Sequence, residues 1–313
     1  MTYTTILTGD CLEVLRGLPD GMAQTCVTSP PYYGLRDYGH AGQIGLEETP
    51  DAYVARLVDV FREVRRVLRD DGTLWLNLGD SYASDSKWGG ATGGKHVKAL
   101  HGDTGAGRAK RNTGLKDKDL IGIPWMVAFA LRADGWWLRQ DIIWHKPNPM
   151  PESVTDRCTK AHEYVFLLTK SARYFYDAAA IAEPAEYPGD DRHNRRDTRK
   201  IVDPFCADAG SRARTGNPTG ETRNARSVWL IATQPYSGAH FATMPPALAE
   251  RCIKAGSKPG DMVLDPFGGA GTTGLVADRL GRSATLIELN PEYARLARER
   301  ITADAPLLVG AAQ

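Results

Sequence analysis

The segment Thr28–Tyr32, which reads Thr-Ser-Pro-Pro-Tyr, combines residue types that suit chemistry on a planar amine. It follows the apolar run Ala23–Val27, and the chain must leave the sheet here because neither proline offers an N–H to a strand ladder. The resulting stiff turn displays carbonyls, one hydroxyl and one aromatic face. Such a set could accept hydrogen bonds from an exocyclic amino group and stack on the ring that carries it. The alternative is an ordinary Pro-Pro turn with a packed tyrosine.

A second segment has the pattern of a cofactor loop. The apolar strand Asp261–Phe267 runs into Gly268–Gly274, which reads Gly-Gly-Ala-Gly-Thr-Thr-Gly, and then into the helical pattern Leu275–Leu280. Backbone amides and a positive helix end therefore face whatever binds there. The glycines match the dinucleotide fingerprint, and Glu288 follows about 20 residues later, where an acidic residue would bind ribose hydroxyls. The pattern leaves open an adenosine-type cofactor, a nicotinamide cofactor or a structural glycine turn.

Together, the two segments resemble the motifs of the DNA amino-methyltransferases, S-adenosylmethionine enzymes that methylate cytosine N4 or adenine N6. The catalytic motif of that family resembles Thr28–Tyr32, and its cofactor motif, usually Asp-Pro-Phe-x-Gly-Ser-Gly-Thr-Thr, resembles Asp265–Thr273. Ala270 replaces the usual serine, which removes a hydroxyl but keeps the small size. The catalytic motif precedes the cofactor motif, as in the permuted beta group, and the resemblance covers nearly the whole chain.

Strands that alternate with helices predict an α/β fold with a mostly parallel, doubly wound sheet, which binds ligands at the carboxyl ends of its strands. The resemblance implies a Rossmann-like S-adenosylmethionine-dependent methyltransferase fold, in which one strand is antiparallel and a target-recognition region is inserted. We expect residues 1–171 to form the catalytic half, with a polar loop at 81–118. Residues 172–231 would form the target-recognition region and residues 232–313 the cofactor-binding half.

Local patterns predict the elements that position these motifs. Thr49 is expected to cap an amphipathic helix that begins at Pro50 and ends at Gly72. A hairpin of Glu163–Thr169 with Arg173–Tyr176 is expected to supply the antiparallel strand. The other predicted strands are Tyr3–Thr8, Thr73–Leu78, Trp136–Trp144 and Ser283–Ile287, and the other helices begin near Leu12, Pro124, Pro246 and Pro291.

The resemblance makes Ser29, Pro30, Pro31 and Tyr32 the catalytic residues. An aromatic amine is a poor nucleophile, and we assign the acceptors for its two N–H bonds to the Ser29 hydroxyl and the Pro30 carbonyl, each contributing about 1.5–3 kcal/mol as charge develops. Tyr32 would stack on the extruded base. Family members with serine before the Pro-Pro pair usually methylate cytosine N4, so Ser29 favours cytosine, with adenine N6 as the alternative.

A wider set of residues is expected to hold the cofactor. Asp10 would bind its adenine end by resemblance, or would simply cap a helix. Before the cofactor strand, Phe241 and Thr243 are the expected cofactor neighbours, whereas His240 is expected to be structural. The full set comprises Asp10, Thr28, Phe241, Thr243, Asp265, Pro266, Phe267, Gly268, Gly269, Gly271, Thr272, Thr273 and Glu288.

The net charge of +1 does not indicate a nucleic-acid binder, but the charges are unevenly distributed. Basic residues crowd the stretch between residues 192 and 226 and recur in the glycine-rich segment 81–118. These charges could contact phosphates and read bases, or they could simply keep two loops in solution. The expected DNA-binding residues are Arg192, Arg195, Arg196, Arg199, Lys200, Arg212 and Arg214.

Composition and cysteine content narrow the kind of protein and its expected location. The 42% hydrophobic content supports a packed core, and five scattered cysteines without a Cys-x-x-Cys pair fit reduced thiols and no metal site. No apolar stretch or leader indicates a membrane span or secretion, so we expect a cytoplasmic protein of a bacterial, archaeal or phage-infected cell.

Three rival functions remain. A nicotinamide oxidoreductase would use the glycine loop but give no role to Ser29–Tyr32, and the intact cofactor loop argues against a silent DNA-binding module. An RNA or protein amide methyltransferase would share the chemistry. The expected partner is double-stranded DNA, with a restriction endonuclease acting on the same site and a homodimer as further expectations from the family.

Overall fold

The computed structural model describes residues 2–35, 40, 42–83, 113–185, 222–234 and 243–304. The strands are β1 (Thr4–Thr8), β2 (Ala23–Thr28), β3 (Leu68–Leu78), β4 (Trp137–His145), β5 (His162–Thr169), β6 (Glu183–Pro184), β7 (Thr222–Arg223), β8 (Val228–Leu230), β9 (Met262–Asp265) and β10 (Ser283–Glu288). The helices are α1 (Cys11–Arg16), α2 (Pro50–Val67), α3 (Ile123–Ala133), α4 (Pro246–Gly256), α5 (Thr272–Arg279) and α6 (Pro291–Asp304), with a short 3-10 turn at Ala179–Ile181.

Eight strands form one sheet in the order β1-β10-β9-β2-β3-β5-β4-β8. Neighbouring strands are parallel except at β5, which runs antiparallel to both β3 and β4. The predicted α/β fold, with a mostly parallel sheet that contains one antiparallel strand, is therefore confirmed for this eight-stranded sheet. Because β5 is reversed, its first residues lie at the edge where the parallel strands end.

Two groups of helices cover the sheet. α1, α2 and α3 pack together, while α4, α5 and α6 form the other group. The central strand β3 contacts both groups of helices, since its side chains alternate between the two faces of the sheet. Leu74 and Leu76 join the core cluster that includes α2, whereas Trp75 lies against Gly256 at the end of α4. Buried on both faces, β2 and the second half of β3 therefore have few exposed positions.

The long helix α2 begins as predicted but ends earlier. The Thr49 hydroxyl accepts the Ala52 N–H at 3.2 Å, and Pro50 occupies the first turn. The predicted end at Gly72 is wrong, because the backbone becomes extended at Leu68 and enters β3. The pairing of β3 with β2 skips from Leu68 to Thr73, so Asp70, Asp71 and Gly72 form an irregularity within a strand.

The predicted hairpin is also wrong. Glu163–Thr169 does lie in a strand, β5, but its partners are β3 and β4. Arg173–Tyr176 is not part of any strand. Tertiary contacts account for the apolar character of that stretch, since the Tyr176 ring stacks on Trp75 with centroids 6.3 Å apart.

The chain divides into two compact units. The larger comprises residues 1–177 and 227–313 and contains the eight-stranded sheet. The smaller comprises residues 178–226, where β6 pairs antiparallel with β7 and Arg223 lies 3.7 Å from Glu183. β8 belongs to the large sheet although it lies within the predicted region 172–231. The two predicted domain boundaries and the assignment of 172–231 to target recognition stay predictions.

Within the described part of the chain, no helix combines the length and the apolar character needed to cross a membrane.

The cysteine environments predict selective thiol labelling. Burial raises the pKa of Cys11 to about 12, with the Asp10 carboxylate adding to the effect, and burial raises the pKa of Cys26 and Cys252 well above the ordinary thiol value. Cys158 is exposed. Iodoacetamide at pH 8 is therefore expected to modify Cys158 in the native protein and the three buried cysteines only after unfolding, as measured by peptide mass spectrometry. Labelling of native Cys26 would contradict the packing of β2.

Candidate functional site

The carboxyl ends of the parallel strands form one edge of the sheet, and both predicted motifs lie there. Ser29–Tyr32 follows β2, and the glycine loop follows β9, its neighbour in the sheet. Asp10 follows β1, and Glu288 ends β10. The parallel sheet thus brings four segments from distant parts of the sequence to one edge, the usual ligand site of such sheets.

The catalytic segment is held by side chains around it. The Pro31 carbonyl accepts the Tyr53 hydroxyl at 2.8 Å, which ties the turn to α2. Ser29 is partly exposed, and among the described residues no donor reaches the Pro30 carbonyl. Neither the Ser29 oxygen nor the Pro30 carbonyl therefore accepts a hydrogen bond from a described residue, although Pro30 itself is buried.

Tyr32 occupies a polar network that sequence reasoning did not anticipate. Its hydroxyl donates to Glu163 Oε2 at 2.6 Å and also lies 3.2 Å from Asn77 Oδ1. The Ser29 hydroxyl donates to the Tyr32 oxygen at 3.4 Å. Burial and the neighbouring Glu163 carboxylate raise the pKa of the Tyr32 hydroxyl well above its ordinary value, so it stays neutral. The ring lies against Gly79, where an added Cβ would be 2.5 Å from Tyr32 Cε2.

A buried carboxylate joins the two motifs. Asp265 Oδ1 accepts the Thr28 hydroxyl at 2.6 Å and the Phe267 N–H at 3.0 Å, and Asp265 Oδ2 accepts the Thr273 hydroxyl at 2.7 Å. Thr273 also lies 3.3 Å from the Val27 carbonyl. Burial raises the pKa of Asp265, while the three donors act in the opposite direction. Thr28, Asp265 and Thr273 thus form an internal brace, hereafter the Asp265 brace, that fixes the end of β2 against the glycine loop.

Glu288 fixes the glycine loop from the neighbouring strand. Its Oε2 accepts the Gly269 N–H at 2.8 Å, and its Oε1 accepts the Asn290 N–H at 2.8 Å. Gly269 and Gly271 have φ values of 49° and 75°, a region that favours glycine. Burial raises the pKa of the Glu288 carboxyl, although both backbone donors oppose the shift. The carboxylate remains partly exposed, and each oxygen keeps a lone pair for a further donor.

The loop is also held from α6. Arg300 donates to the Ala270 carbonyl and to the Thr272 hydroxyl, both at 2.9 Å. The Ala270 methyl group, which stands where the resemblance expects a serine hydroxyl, is buried. The substitution therefore leaves no unpaired hydroxyl inside the loop.

Asp10 caps a helix in the structure. Its Oδ1 accepts the N–H groups of Leu12 and Glu13 at 2.9 and 3.1 Å, which is the alternative that the sequence left open. Its Oδ2 lies 3.4 Å from the Arg56 guanidinium. Gly9 donates to the Glu288 carbonyl at 3.0 Å, so Asp10 lies beside the end of β10. A contact between Asp10 and cofactor stays a prediction.

The predicted cofactor residues divide into two groups by exposure. The side chains of Thr28, Asp265, Thr272 and Thr273 are buried and hydrogen-bonded within the protein. Phe267 is partly buried, and its ring packs on Phe61 with centroids 6.5 Å apart. Pro266, Gly268 and Gly271 are buried, whereas Asp10, Thr243, Gly269 and Glu288 are partly exposed. Contact of either group with the cofactor stays a prediction.

Several predicted residues lie outside the described part of the chain. These are Phe241, His240 and every expected DNA-binding residue, namely Arg192, Arg195, Arg196, Arg199, Lys200, Arg212 and Arg214. Residues 84–112 of the polar loop are outside it as well. The ends of that loop meet at the site, since Ala83 and Asp119 are joined by a 2.8 Å backbone hydrogen bond.

Sequence reasoning missed four polar residues at the same edge. Asn77 and Glu163 contact the Tyr32 hydroxyl, and Lys146 pairs with Glu163. Asp80 caps α3 by accepting the N–H groups of Gly122 and Ile123 at 3.0 Å. Asn77 did carry a signal, because it is an amide within the mostly apolar run Thr73–Leu78. In the described residues, no group of three or more His, Cys, Asp and Glu side chains is arranged to hold a metal ion.

Comparison with known proteins gives a consistent result. A family model described as DNA methylase, of the N6/N4 methyltransferase type, matches residues 23–299. The type II methyltransferase M.SmaI of Serratia marcescens is 50% identical over 296 residues, which cover 95% of this chain and 90% of that protein. M.Cfr9I of Citrobacter freundii, also a type II methyltransferase, is 47% identical over 298 residues, covering 95% and 87%.

Solved structures share the fold. The DNA modification methylase TTHA0409 from Thermus thermophilus, complexed with S-adenosyl-L-methionine, is 27% identical with a TM-score of 0.61, and the match covers 98% of this chain and 96% of that one. The cytosine-N4-specific PvuII DNA methyltransferase is 19% identical with a TM-score of 0.62, covering 98% and 92%. At that identity the second likeness concerns the fold alone.

Proposed function

This chain belongs to the DNA methylase family, and from that premise we propose that it methylates the N4 amine of cytosine, on a base turned out of a specific double-stranded DNA sequence. The chain is a DNA amino-methyltransferase, and S-adenosylmethionine is its cofactor. That cofactor supplies an electrophilic methyl group on a sulfonium. The observation that carries the proposal is the Asp265 brace, because it joins the catalytic turn directly to the cofactor loop.

The cofactor fits the donors and acceptors at the sheet edge. Glu288 ends a strand with its carboxylate partly exposed, in position to accept ribose hydroxyls. The Gly268–Gly271 loop carries only one side chain, the buried Ala270 methyl group, so a ligand could approach its backbone closely. Asp10 and Thr243 would contribute from either side of that loop. Thr28, Asp265 and Thr273 would support these residues from beneath without touching the cofactor.

Catalysis would depend mainly on orientation. The lone pair of an aromatic amine is delocalised into the ring, so it must be turned toward the methyl group and held in line. The Ser29 hydroxyl and the Pro30 carbonyl would accept the two amine N–H bonds, each contributing about 1.5–3 kcal/mol as positive charge develops. Tyr32, already supported by Gly79 on one side of its ring, would offer the other side to the base.

Cytosine is preferred for two reasons. The first is Ser29, since a neutral serine avoids placing a carboxylate beside the O2 and N3 acceptors of cytosine. The second is that Glu163, the carboxylate that accepts from Tyr32, is already paired with Lys146, which reduces its repulsion of the same acceptors.

The experiment that tests the target base is nucleoside mass spectrometry of plasmid DNA after incubation with the protein and deuterated-methyl S-adenosylmethionine. Labelled N4-methylcytosine would support the proposal, with Ser29→Ala as the variant expected to lose the label. Labelled N6-methyladenine would keep the mechanism and overturn the choice of base. No label on DNA would direct the search to RNA or protein substrates.

Glu288 is expected to control cofactor affinity. Glu288→Ala removes both the ribose acceptor and the partner of the Gly269 N–H, so we expect the Kd for S-adenosylmethionine to rise at least about tenfold, or about 1.4 kcal/mol. Isothermal titration calorimetry measures this directly. Glu292→Ala, in the exposed first turn of α6, is the matched control and should leave the Kd unchanged. Equal affinity in the two variants would remove Glu288 from the cofactor site.

DNA recognition is assigned to the arginine-rich stretch within residues 172–231. Arg195→Ala and Arg196→Ala are expected to weaken binding to the recognised site and to reduce the slope of log affinity against log salt by about 1 for each lost phosphate contact. Arg295→Ala, on the exposed side of α6, is the control. Unchanged binding and slope in the first two variants would move recognition elsewhere, with the 81–118 loop as the next candidate.

The remaining partners follow from the same proposal. Because the relatives of this chain include type II methyltransferases, we propose a restriction endonuclease acting on the same site as a partner. We also propose a cytoplasmic location, where the DNA substrate is, and a homodimer as the solution form to be tested by sedimentation.

A further inference from the structure

Glu163 connects three side chains at the site. Its Oε2 accepts the Tyr32 hydroxyl at 2.6 Å and the Asn77 amide at 3.1 Å. Its Oε1 accepts the Lys146 ammonium group. The side chains of Glu163 and Lys146 are only 14% and 18% exposed, so this is a largely buried ion pair within the site. Burial of an ion pair costs desolvation free energy, and this pair lies outside the predicted motifs, so its position requires an explanation.

The hydrogen bonds around Tyr32 have a defined direction. A carboxylate can only accept, so at 2.6 Å the Tyr32 hydroxyl donates to Glu163. The Tyr32 oxygen is then free to accept the Ser29 hydroxyl, 3.4 Å away. The result is a continuous chain from Ser29 through Tyr32 to Glu163. Its first member is the hydroxyl assigned to the amine, and its last member is a carboxylate.

Other charged groups face Glu163 from neighbouring elements. Lys146, at the end of β4, pairs with the carboxylate directly. Lys160 donates to the Asp80 carbonyl at 2.9 Å, and burial lowers the pKa of Lys160 while Asp80 and Glu163 oppose that shift. His162 precedes Glu163 in β5. Two lysine side chains therefore lie near Glu163, and one of them pairs with its carboxylate directly.

We propose that Ser29, Tyr32 and Glu163 form a proton relay that removes the proton released by the methylated amine. The proposal rests on the proposed function, because it needs an amine at Ser29. Glu163 acts through Tyr32 and Ser29, so it is a positioning residue with a proton-accepting role.

The relay balances atoms and charges. The amine lone pair forms the new N–C bond while the C–S bond breaks and its electron pair stays on sulfur. The positively charged amine gives one N–H proton to the Ser29 oxygen, Ser29 passes its own proton to the Tyr32 oxygen, and Tyr32 passes its own to Glu163 Oε2. The protonated Glu163 then releases its proton to water. Because the transfers are concerted, no phenolate forms on Tyr32.

Two variants separate a relay from a purely structural network. Glu163→Gln keeps the size of the side chain and an oxygen that accepts from Tyr32, but it cannot take up a proton at neutral pH. Tyr32→Phe keeps the ring and removes the hydroxyl. Glu152→Gln, a partly exposed glutamate paired with Arg157, is the matched control. All variants are compared in single-turnover methylation of a DNA duplex, with cofactor affinity measured separately.

A relay predicts three results. Glu163→Gln should lower the single-turnover rate at pH 7 by about 10- to 100-fold, within the scale of general acid-base catalysis, while the Kd for S-adenosylmethionine stays within twofold. Its rate should rise with pH between 7 and 9, where the wild-type rate is flat, because the proton must then leave to solvent. Tyr32→Phe combined with Glu163→Gln should be no slower than the slower single variant, since both interrupt one chain.

Other results would overturn the relay. A Glu163→Gln rate within threefold of wild type with the same pH profile, or single effects that add in the double variant, would leave Glu163 a structural role only. If Glu163→Gln does not bind the cofactor, Tyr32→Phe decides, and wild-type turnover in that variant rejects the relay. Failure of the wild-type protein to methylate any DNA would overturn the proposed function itself, which is a separate outcome.

Discussion

Asp265→Ala is expected to abolish cofactor binding and to destabilise the whole domain. The substitution removes the acceptor of three donors, the hydroxyls of Thr28 and Thr273 and the N–H of Phe267. Each buried donor left without a partner costs about 1–3 kcal/mol, so we expect the free energy of unfolding to fall by more than about 3 kcal/mol. Urea denaturation measures the loss, and calorimetry measures cofactor binding.

The matching Asp265→Asn variant should be much milder. Its carbonyl oxygen can still accept from Thr28 and Phe267, and its amide can donate to the Thr273 oxygen, whose own proton can turn to the Val27 carbonyl 3.3 Å away. The control for nonspecific charge loss is Asp59→Ala, at a position on α2 that is 53% exposed. Similar losses in the alanine and asparagine variants would contradict the hydrogen-bond account of the brace.

The stability difference between the wild-type protein and Asp265→Asn depends on pH, and the direction of the Asp265 pKa shift gives its sign. Burial raises the pKa of Asp265 in the folded state, so its stabilising contribution is fully present below the unfolded value of about 3.9 and is lost as the pH rises through the folded value. The Asp265→Asn variant has no carboxyl group at this position and therefore lacks this dependence. The wild-type protein should lose stability relative to Asp265→Asn as the pH rises from about 4, as measured by urea denaturation at several pH values.

Gly79→Ala is expected to damage catalysis while the fold and cofactor binding survive. A Cβ at position 79 would lie 2.5 and 3.0 Å from Tyr32 Cε2 and Cδ2, which is closer than such atoms approach. The Tyr32 ring is a side chain and can rotate away, but its hydroxyl then leaves Glu163 and its face leaves the position proposed for the base. Misplacement of about 1 Å can cost about 100-fold in rate, so we expect turnover to fall at least tenfold.

Gly17→Ala is the control for this prediction. A Cβ there would meet only the Val14 carbonyl, at an ordinary distance of 3.4 Å, and neither glycine has a positive φ value. Turnover is measured with a DNA duplex, stability by thermal unfolding and cofactor binding by calorimetry. Wild-type turnover in Gly79→Ala would show that Tyr32 does not need its position against Gly79.

The parts of the site that were predictable from sequence are those with strong local patterns. The Thr28–Tyr32 turn and the glycine loop each follow an apolar strand, and glycines and prolines restrict the backbone within a few residues. The Thr49 cap of α2 is equally local. The mostly parallel sheet and the S-adenosylmethionine cofactor were confirmed for this reason, since both depend on patterns that lie within short stretches.

The errors occurred where pairing partners are distant. The hairpin of 163–169 with 173–176 was the nearest pairing along the chain, but β5 instead fills the space between β3 and β4. The end of α2 was placed at the Asp-Asp-Gly signal of residues 70–72, which the fold uses inside β3. Local propensity could not decide either case, because burial against the sheet outweighs the small preferences of a turn or a helix end.

The sequence by itself determined which residues could bind the amine and the cofactor, through the types and spacing within two short motifs. Only the tertiary structure decided that Asp265 would join those motifs and that Glu163 would reach Tyr32. Glu163 is at the site because β5 runs antiparallel, so the start of that strand meets the ends of the others. Strand direction depends on contacts between residues about 90 positions apart, such as Asn77 and Val165, and no local pattern encodes such contacts.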